Sequence, residues 1–199
     1  MSDFIIETSA RHVHVTQETL EKLFGEGFQL TVRKELSQPG QFASGQKVIV
    51  RGPVNPKTGK PGELQCSILG PVRKENQVEV SFTDARTLGV KGVVRESGDV
   101  AGTPGCTLVN PENGNEVVCS EGVIVAKRHI HMTPADAKEN GVNNGDIVKV
   151  EVLNETGRKV IFDDTVIRVS EKYALAMHID TDEANAGALF GDIKGRIVK

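Results

Sequence analysis

A six-residue motif occurs twice in this chain, and that repetition constrains the fold more than any other feature. Arg11-His12-Val13-His14-Val15-Thr16 returns 117 residues later as Arg128-His129-Ile130-His131-Met132-Thr133. The shared pattern is Arg-His-β-branched-His-apolar-Thr, and each copy precedes a short helical stretch. Thr16 reads as the N-cap of a helix over 17–24, ending at Gly25 or Gly27. Thr133 reads as the second N-cap, with Pro134 at N1, Asp136 at N3 and a stop before Gly141. A capping Thr accepts from a first-turn N–H that has no partner inside the helix, and Pro lacks an N–H where none is needed. Downstream, Gly45 and Gly145 each open a turn followed by a strand, QKVIV and DIVKV. Two related modules formed by duplication account for all of this most simply.

The rest of the chain reads as mainly β. Strands are expected at 4–8, 29–33, 47–51, 63–69, 77–82, 122–126, 147–153, 159–162, 165–169 and 173–179. Each is short, rich in Val and Ile, and bounded by Gly, Pro, Asn or Asp. Helices are few: 17–24, 134–140 and 182–189. Many short strands with so few helices point to small antiparallel barrels or sandwiches rather than a doubly wound sheet. Segments 53–62 (PVNPKTGKPG) and 96–105 (ESGDVAGTPG) read as loops, the second glycine-rich enough to lie close to a ligand.

Composition narrows the function classes. The 199 residues carry 24 Lys+Arg against 27 Asp+Glu, and aromatics are sparse, with seven Phe, one Tyr and no Trp. Neither a basic nucleic-acid binder nor a base-stacking surface fits that balance. No window has the roughly 18 consecutive apolar residues of a membrane-spanning helix, and the first residues show no signal-peptide pattern. Cys66, Cys106 and Cys119 form no CxxC pair; an odd count at these spacings fits a reducing cytoplasm and cysteines of the core or strands.

All five histidines fall in three places: His12 with His14, His129 with His131, and His178 at the end of an apolar run. In extended backbone, residues i and i+2 point to one face. Each His-x-His pair therefore projects two imidazoles together, and two imidazoles on one strand face suit zinc. A single His is more ordinarily a satisfied, partly buried ring, but two pairs inside a duplicated motif favour metal. Arg11 and Arg128 suit ion pairs and capping equally well. Catalytic zinc takes three protein ligands. His178 completes one set with His129 and His131, whereas the residues alone do not choose a third ligand for His12 and His14. Between Leu69 and Ser81, a Gly70-Pro71 turn delivers Arg73 and Lys74, then Gln77, Glu79 and Ser81 share one face of a strand. Glu79 is available for a metal and Arg73 for an anion, or the stretch is a solvated edge strand. Arg33 and Lys34 suit phosphate groups or surface ion pairs equally.

At this point a resemblance becomes specific. SARHVHVT, LTVRKELSQPGQFA, LGPVRKENQVEVSFTDARTLG, VRESGD, AKRHIHM and MHIDTDEANA stand in order from about residue 5 to 190. Together they resemble the PduL-type phosphate acyltransferases, the phosphate propanoyltransferase or phosphotransacylase family. The resemblance implies reversible transfer of a short acyl group, propanoyl or acetyl, between CoA and inorganic phosphate, giving acyl phosphate. It implies two zinc ions per chain in two six-stranded β-barrels, with the active site between them. It implies domains at 11–127 and 128–199, the second joined by the exchanged strand 1–10. Motif by motif, it assigns His12, His14 and Glu79 to one zinc and His129, His131 and His178 to the other. Arg73 falls on the family's phosphate-holding arginine, while Ser9, Lys34, Leu69 and Asn185 fall on positions lining the CoA site.

No Ser-His-Asp or reactive-Cys constellation is visible, so direct transfer in a ternary complex is expected over a covalent acyl-enzyme. Members that enter bacterial microcompartments carry an amphipathic N-terminal extension. Only eleven residues precede His12, so the expected setting is the cytoplasm and acetate or propanoate metabolism. Acyl chain length and homo-oligomerisation stay open at this level; one methylene is worth only about 1–3 kcal/mol. Two other readings stand beside this one. A dinuclear zinc hydrolase would release CoA without phosphate. A zinc-stabilised binding module would close each site with a fourth protein ligand.

Overall fold

The computed structural model describes residues 2–198. In chain order the first half has β1 (Phe4–Thr8), β2 (His12–His14), α1 (Gln17–Phe24), β3 (Val32–Glu35), β4 (Phe42–Val54) and β5 (Pro61–Gly70). It continues with β6 (Gln77–Glu79), α2 (Phe82–Leu88), β7 (Val94–Arg95), β8 (Cys106–Val109), β9 (Glu116–Cys119) and β10 (Val123–Ala126). The second half has β11 (His129–Met132), α3 (Pro134–Asn140), β12 (Ile147–Leu153), β13 (Ile161–Val169), β14 (Ala176–Ile179), α4 (Thr181–Ala186) and β15 (Ile193–Val198). The protein is mainly β, with 42% strand against 14% helix.

Local chemistry explains the repeated segment. After β2 the Thr16 side chain accepts from Thr19 N, and Gly25 ends α1. After β11 the Thr133 side chain accepts from Asp136 N while Asp136 reaches back to the Thr133 N–H, a reciprocal capping box with Pro134 in the first turn. Gly141 closes α3 at φ 69°, a left-handed conformation that Gly adopts without a Cβ clash.

Several expected elements differ, each for a local reason. The strand expected over 77–82 stops at Glu79, because the Ser81 side chain accepts from Asp84 N and starts α2. Ser81 therefore leaves the face it was expected to share with Gln77 and Glu79. The strands expected at 159–162 and 165–169 are one strand, β13; Asp164 takes φ 57° inside it, and the register with β12 shifts between Val148 and Val150. Such an irregularity bends a strand without ending it. Segment 53–62 is the tip of the β4–β5 hairpin rather than a free loop, closed by Asn55 N donating to Lys60 O. The strand expected at 29–33 lies at Val32–Glu35, that at 173–179 shortens to Ala176–Ile179, and helix 182–189 becomes Thr181–Ala186, capped by Asp180.

The chain forms two compact units. One comprises 2–10, 37–39 and 127–198, the other 11–36 and 40–126. In the first, six strands close into a barrel in the order β1-β14-β11-β13-β12-β15. Phe4, Ile6, Ile130, Met132, Met177 and Ile197 are among the side chains filling its core. In the second, a nine-stranded half-barrel sheet runs β7-β10-β6-β2-β5-β4-β8-β9, with β3 added on β4. Its core includes Val13, Leu20, Leu23, Ile68, Leu88 and Leu108. The resemblance implied six strands in each, and this second sheet has three more.

First strands are exchanged. β1 leads into β2 along the chain, yet it pairs with β14 and β15. β10 leads into β11, yet it pairs with β6 and β7. Each copy of the repeat thus lends its leading strand to the other unit. Among the described residues, no helix is long and apolar enough to cross a membrane.

Candidate metal centres

Strand register assembles both histidine groups. In the half-barrel, β2 runs antiparallel to β6 with His12 opposite Glu79 and His14 opposite Gln77. In the barrel, β11 runs antiparallel to β14 with His129 opposite His178 and His131 opposite Ala176. The two arrangements correspond in register: the third donor faces the first histidine of the motif, a carboxylate in one unit and an imidazole in the other. Directly opposed side chains share a face and stand about 5 Å apart at Cβ. The two histidines of each motif share that face because they are i and i+2.

Within each group the donor atoms all lie within 4.8 Å of one another. His12 Nε2 is 3.4 Å and His14 Nε2 3.8 Å from the two Glu79 oxygens. Those separations exceed a good N–H···O hydrogen bond. Two donors bound tetrahedrally to one zinc at about 2.0–2.1 Å would stand about 3.3 Å apart. In the barrel, His131 Nδ1 is buried without a hydrogen-bond partner. Protein interiors seldom leave such a nitrogen unmatched. Two imidazoles with a carboxylate, and three imidazoles, are both donor sets that a divalent cation of zinc's preferences accepts. The residues present therefore fit the metals that the resemblance implied.

Surrounding groups hold the donors in place. Gln77 Nε2 donates to Glu79 Oε1 at 2.6 Å, and the Ser97 hydroxyl donates to the same oxygen at 3.0 Å. Gln77 Oε1 in turn accepts from Gly98 N at 2.7 Å, which ties the glycine-rich loop to the centre. Burial raises the Glu79 carboxyl, but the adjacent His12 and His14 imidazoles and the Ser97 hydroxyl outweigh it and leave it well below the usual carboxylate range. Arg73 is anchored by its N–H to Val15 O at 2.8 Å, and its Nη1 lies 3.1 Å from Ser97 Oγ. Gln77 shares the Glu79 face by strand alternation, visible in the sequence. Ser97 lies in the loop whose glycines suggested a nearby ligand, and nothing local singled it out.

In the barrel, His129 Nδ1 lies 2.9 Å from Lys127 O. A carbonyl only accepts, so this contact places the ring proton on Nδ1 and the lone pair on Nε2. Glu7 of β1 stands beside His178 in register, its Oε2 3.5 Å from His178 Nδ1 and receiving a 2.5 Å hydrogen bond from Ser37. Sequence reasoning missed Glu7, because its neighbour is 171 residues away along the chain. A carboxylate behind a metal-binding imidazole fixes its tautomer and strengthens it as a donor. Replacing Glu7 with Ala is therefore expected to weaken metal binding at the His129/His131/His178 group roughly 10–100-fold. Competition with a chelator measures this; equal affinities for variant and parent would refute it.

Burial dominates the titration of two imidazoles. His14 is pushed down to about 3 by burial and by the neighbouring His12 and Arg73 charges, against the pull of Glu79. His131 is pushed down to about 2 by burial, His129, His178 and Arg168. Unfolded imidazoles take up protons near pH 6.5, so below that pH the unfolded chain binds more protons than the folded one. Stability then rises with pH: it is full above about pH 7 and declines as pH falls from about 6.5 towards 3. The metal-free protein is expected to melt at a lower temperature at about pH 5 than at about pH 7.5, and equal melting temperatures would contradict it.

The other residues singled out from sequence lie outside both groups. Lys34, exposed on β3, and Leu69, half-buried on β5, both stand opposite Ala43 of β4 and so fall in one cross-strand row. Ser9 follows β1 and donates its N–H to Ile179 O at 2.8 Å. Asn185 is exposed on α4. The arginines of the repeat make ion pairs, Arg11 with Asp84 at 3.0 Å and Arg128 with Glu183 at 2.8 Å.

Residues 5–190 match the family model for phosphate propanoyltransferase. Proteins named phosphate propanoyltransferase are similar along nearly the whole chain. The one from Listeria monocytogenes is 49% identical over 98% of this chain and 86% of its own length. That from Enterococcus faecalis is 52% identical over 98% and 88%. That from Thermotoga maritima is 53% identical over 93% and 84%. With such agreement from end to end, the chain belongs to the phosphate propanoyltransferase family and is an acyltransferase.

Proposed function

We propose that this chain moves a propanoyl or acetyl group reversibly between CoA and inorganic phosphate, with two zinc ions per chain, one at each three-donor group. The observation that supports this best is the pair of three-donor groups in equivalent register, in a chain related to phosphate propanoyltransferases throughout. Three protein donors leave a zinc position open for substrate, whereas a structural zinc is closed by four. Bound zinc supplies Lewis-acid polarisation of a carbonyl and positive charge for a phosphate oxygen.

The chain's own residues supply binding and orientation. The Arg73 guanidinium, fixed through Ser97, offers a planar fork that pairs bidentately with phosphate. Ser9, Lys34, Leu69 and Asn185 contact CoA in this reading, the exposed Lys34 ammonium meeting one of its phosphates. A phosphate oxygen attacks the thioester carbonyl carbon; the tetrahedral intermediate collapses, the C–S bond breaks, and the CoA sulfur leaves as thiolate and takes up a proton. Holding both substrates in one complex removes most of the orientational cost of this step. The cysteines are poor candidates for an acyl carrier. Burial pushes the Cys66 thiol up to about 12, and Cys106 and Cys119 lie on β8 and β9, three and four strands along the sheet from β2. Transfer is therefore direct, in a ternary complex. The setting is the cytoplasm, within acetate or propanoate metabolism.

A thiol reagent tests this by following CoA release from propanoyl-CoA and acetyl-CoA, with and without phosphate. Phosphate-dependent release from a preparation carrying about two zincs per chain is the expected result. Phosphate-independent release would make the protein a thioester hydrolase instead. An acylated residue trapped with acyl-CoA alone would overturn the ternary-complex route.

A further inference from the structure

Away from the histidine groups, the half-barrel holds two cysteines that the acyl transfer does not use. Cys106 on β8 and Cys119 on β9 stand directly opposite each other in an antiparallel pair. Asn110 N donates to Asn115 O at 2.8 Å in the same ladder. Counting back from that pair by the two-residue alternation makes Cys106–Cys119 a hydrogen-bonded pair, with Cα atoms about 5.5 Å apart. Disulfides span about 4.4–6.8 Å between Cα atoms, so this spacing falls inside the range that a bridge accepts. Both side chains are on one face, both are 7–8% exposed, and both line an open cleft of about 410 Å³ whose rim includes Arg51 and Lys91. A small reagent therefore has a route to them.

We propose that Cys106 and Cys119 are a redox-active dithiol, a modification site that a peroxide converts into a cross-strand disulfide. The sulfurs are already within hydrogen-bonding reach. The Cys106 thiol donates to Cys119, which holds Cys106 above the ordinary thiol range and Cys119 below it, and the Asn76 side chain adds a hydrogen bond to Cys119. Either sulfur can react first, and the chemistry is the same with Cys119 as the attacker. Its thiolate attacks a peroxide oxygen, the O–O bond breaks, and the expelled hydroxide takes a proton to leave as water. The resulting sulfenic acid is attacked by the Cys106 sulfur, releasing a second water. In sum, two thiols and one hydrogen peroxide give one disulfide and two waters. Cys66 stands outside this pair: it sits opposite Val48 on another ladder and is only 2% exposed.

Exposure of the folded, reduced protein to hydrogen peroxide, followed by thiol counting after denaturation, tests the assignment. Free thiols are expected to fall from three to one, with a mass loss of two hydrogens, a cross-link between the peptides bearing Cys106 and Cys119, and recovery on reduction. Cys119→Ser should abolish the cross-link. Three thiols surviving a dose that oxidises the unfolded chain would overturn the proposal. So would oxygen addition without a cross-link, or a disulfide through Cys66 or between chains.

Discussion

His12→Ala is expected to lower phosphate-dependent CoA release roughly 10³-fold, a loss of several kcal/mol of metal-derived stabilisation at the reacting centre. With the two zincs per chain proposed above, bound metal should fall at the same time from two equivalents to one. His14 and Glu79 remain, but two donors are too few for a zinc site that ordinarily takes three from the protein. The second group supplies an internal control. His129, His131 and His178 lie in the other unit, so their ion should stay. A retained second zinc would show that the variant is folded and that its defect is local. His129→Ala should give the mirror result. Parent-level turnover in a His12→Ala preparation holding one zinc would remove this group from the chemistry.

Gly52→Ala is expected to cost about 3 kcal/mol of stability, the largest effect anticipated for a change outside the histidine groups. A Cβ at Gly52 would stand 1.9 Å from the Leu88 carbonyl oxygen, and one at Gly62 would stand 1.9 Å from that of Thr87. The end of α2 thus rests on two glycines of the β4–β5 hairpin. The obstacle is backbone, so no rotamer change relieves it; strand and helix must separate by more than an ångström. Leu88 and Ala85 would then lose packing in the half-barrel core. Urea unfolding measures the change, and a shift within about 0.5 kcal/mol would show that the helix end yields freely.

What the sequence discloses follows from the range of each interaction. The helices after the two histidine motifs are read to the residue, because Thr16 and Thr133 act within three positions. The paired imidazoles are equally local, a matter of i and i+2. α2 escapes detection because Val78, Val80 and Phe82 prolong an apparent strand, while the Ser81–Asp84 cap that ends it is a subtler local signal. The third donor of each group is not local at all. Glu79 meets His12, and His178 meets His129, through the register of strands 67 and 49 residues apart. Residue chemistry alone leaves Glu79 among 27 acids, and the family resemblance chooses it. Gln77 supports Glu79 from two residues away on the same strand, but Glu7 depends on the same long-range pairing and Ser97 on the path of its loop, and no periodicity points to either.

The exchange of leading strands sets a timetable for making the protein. Phe4 pairs with Gly195, so β1 meets this partner only after another 191 residues have been made. At about 5–20 residues per second, that interval is roughly 10–40 s. Throughout it, Phe4 and Ile6 have no core to enter. The half-barrel needs no strand beyond β10 and is complete at residue 126. The half-barrel of such a duplicated chain can form first, while the barrel's leading segment waits as an unpaired apolar strand until β14 and then the six-residue β15 arrive.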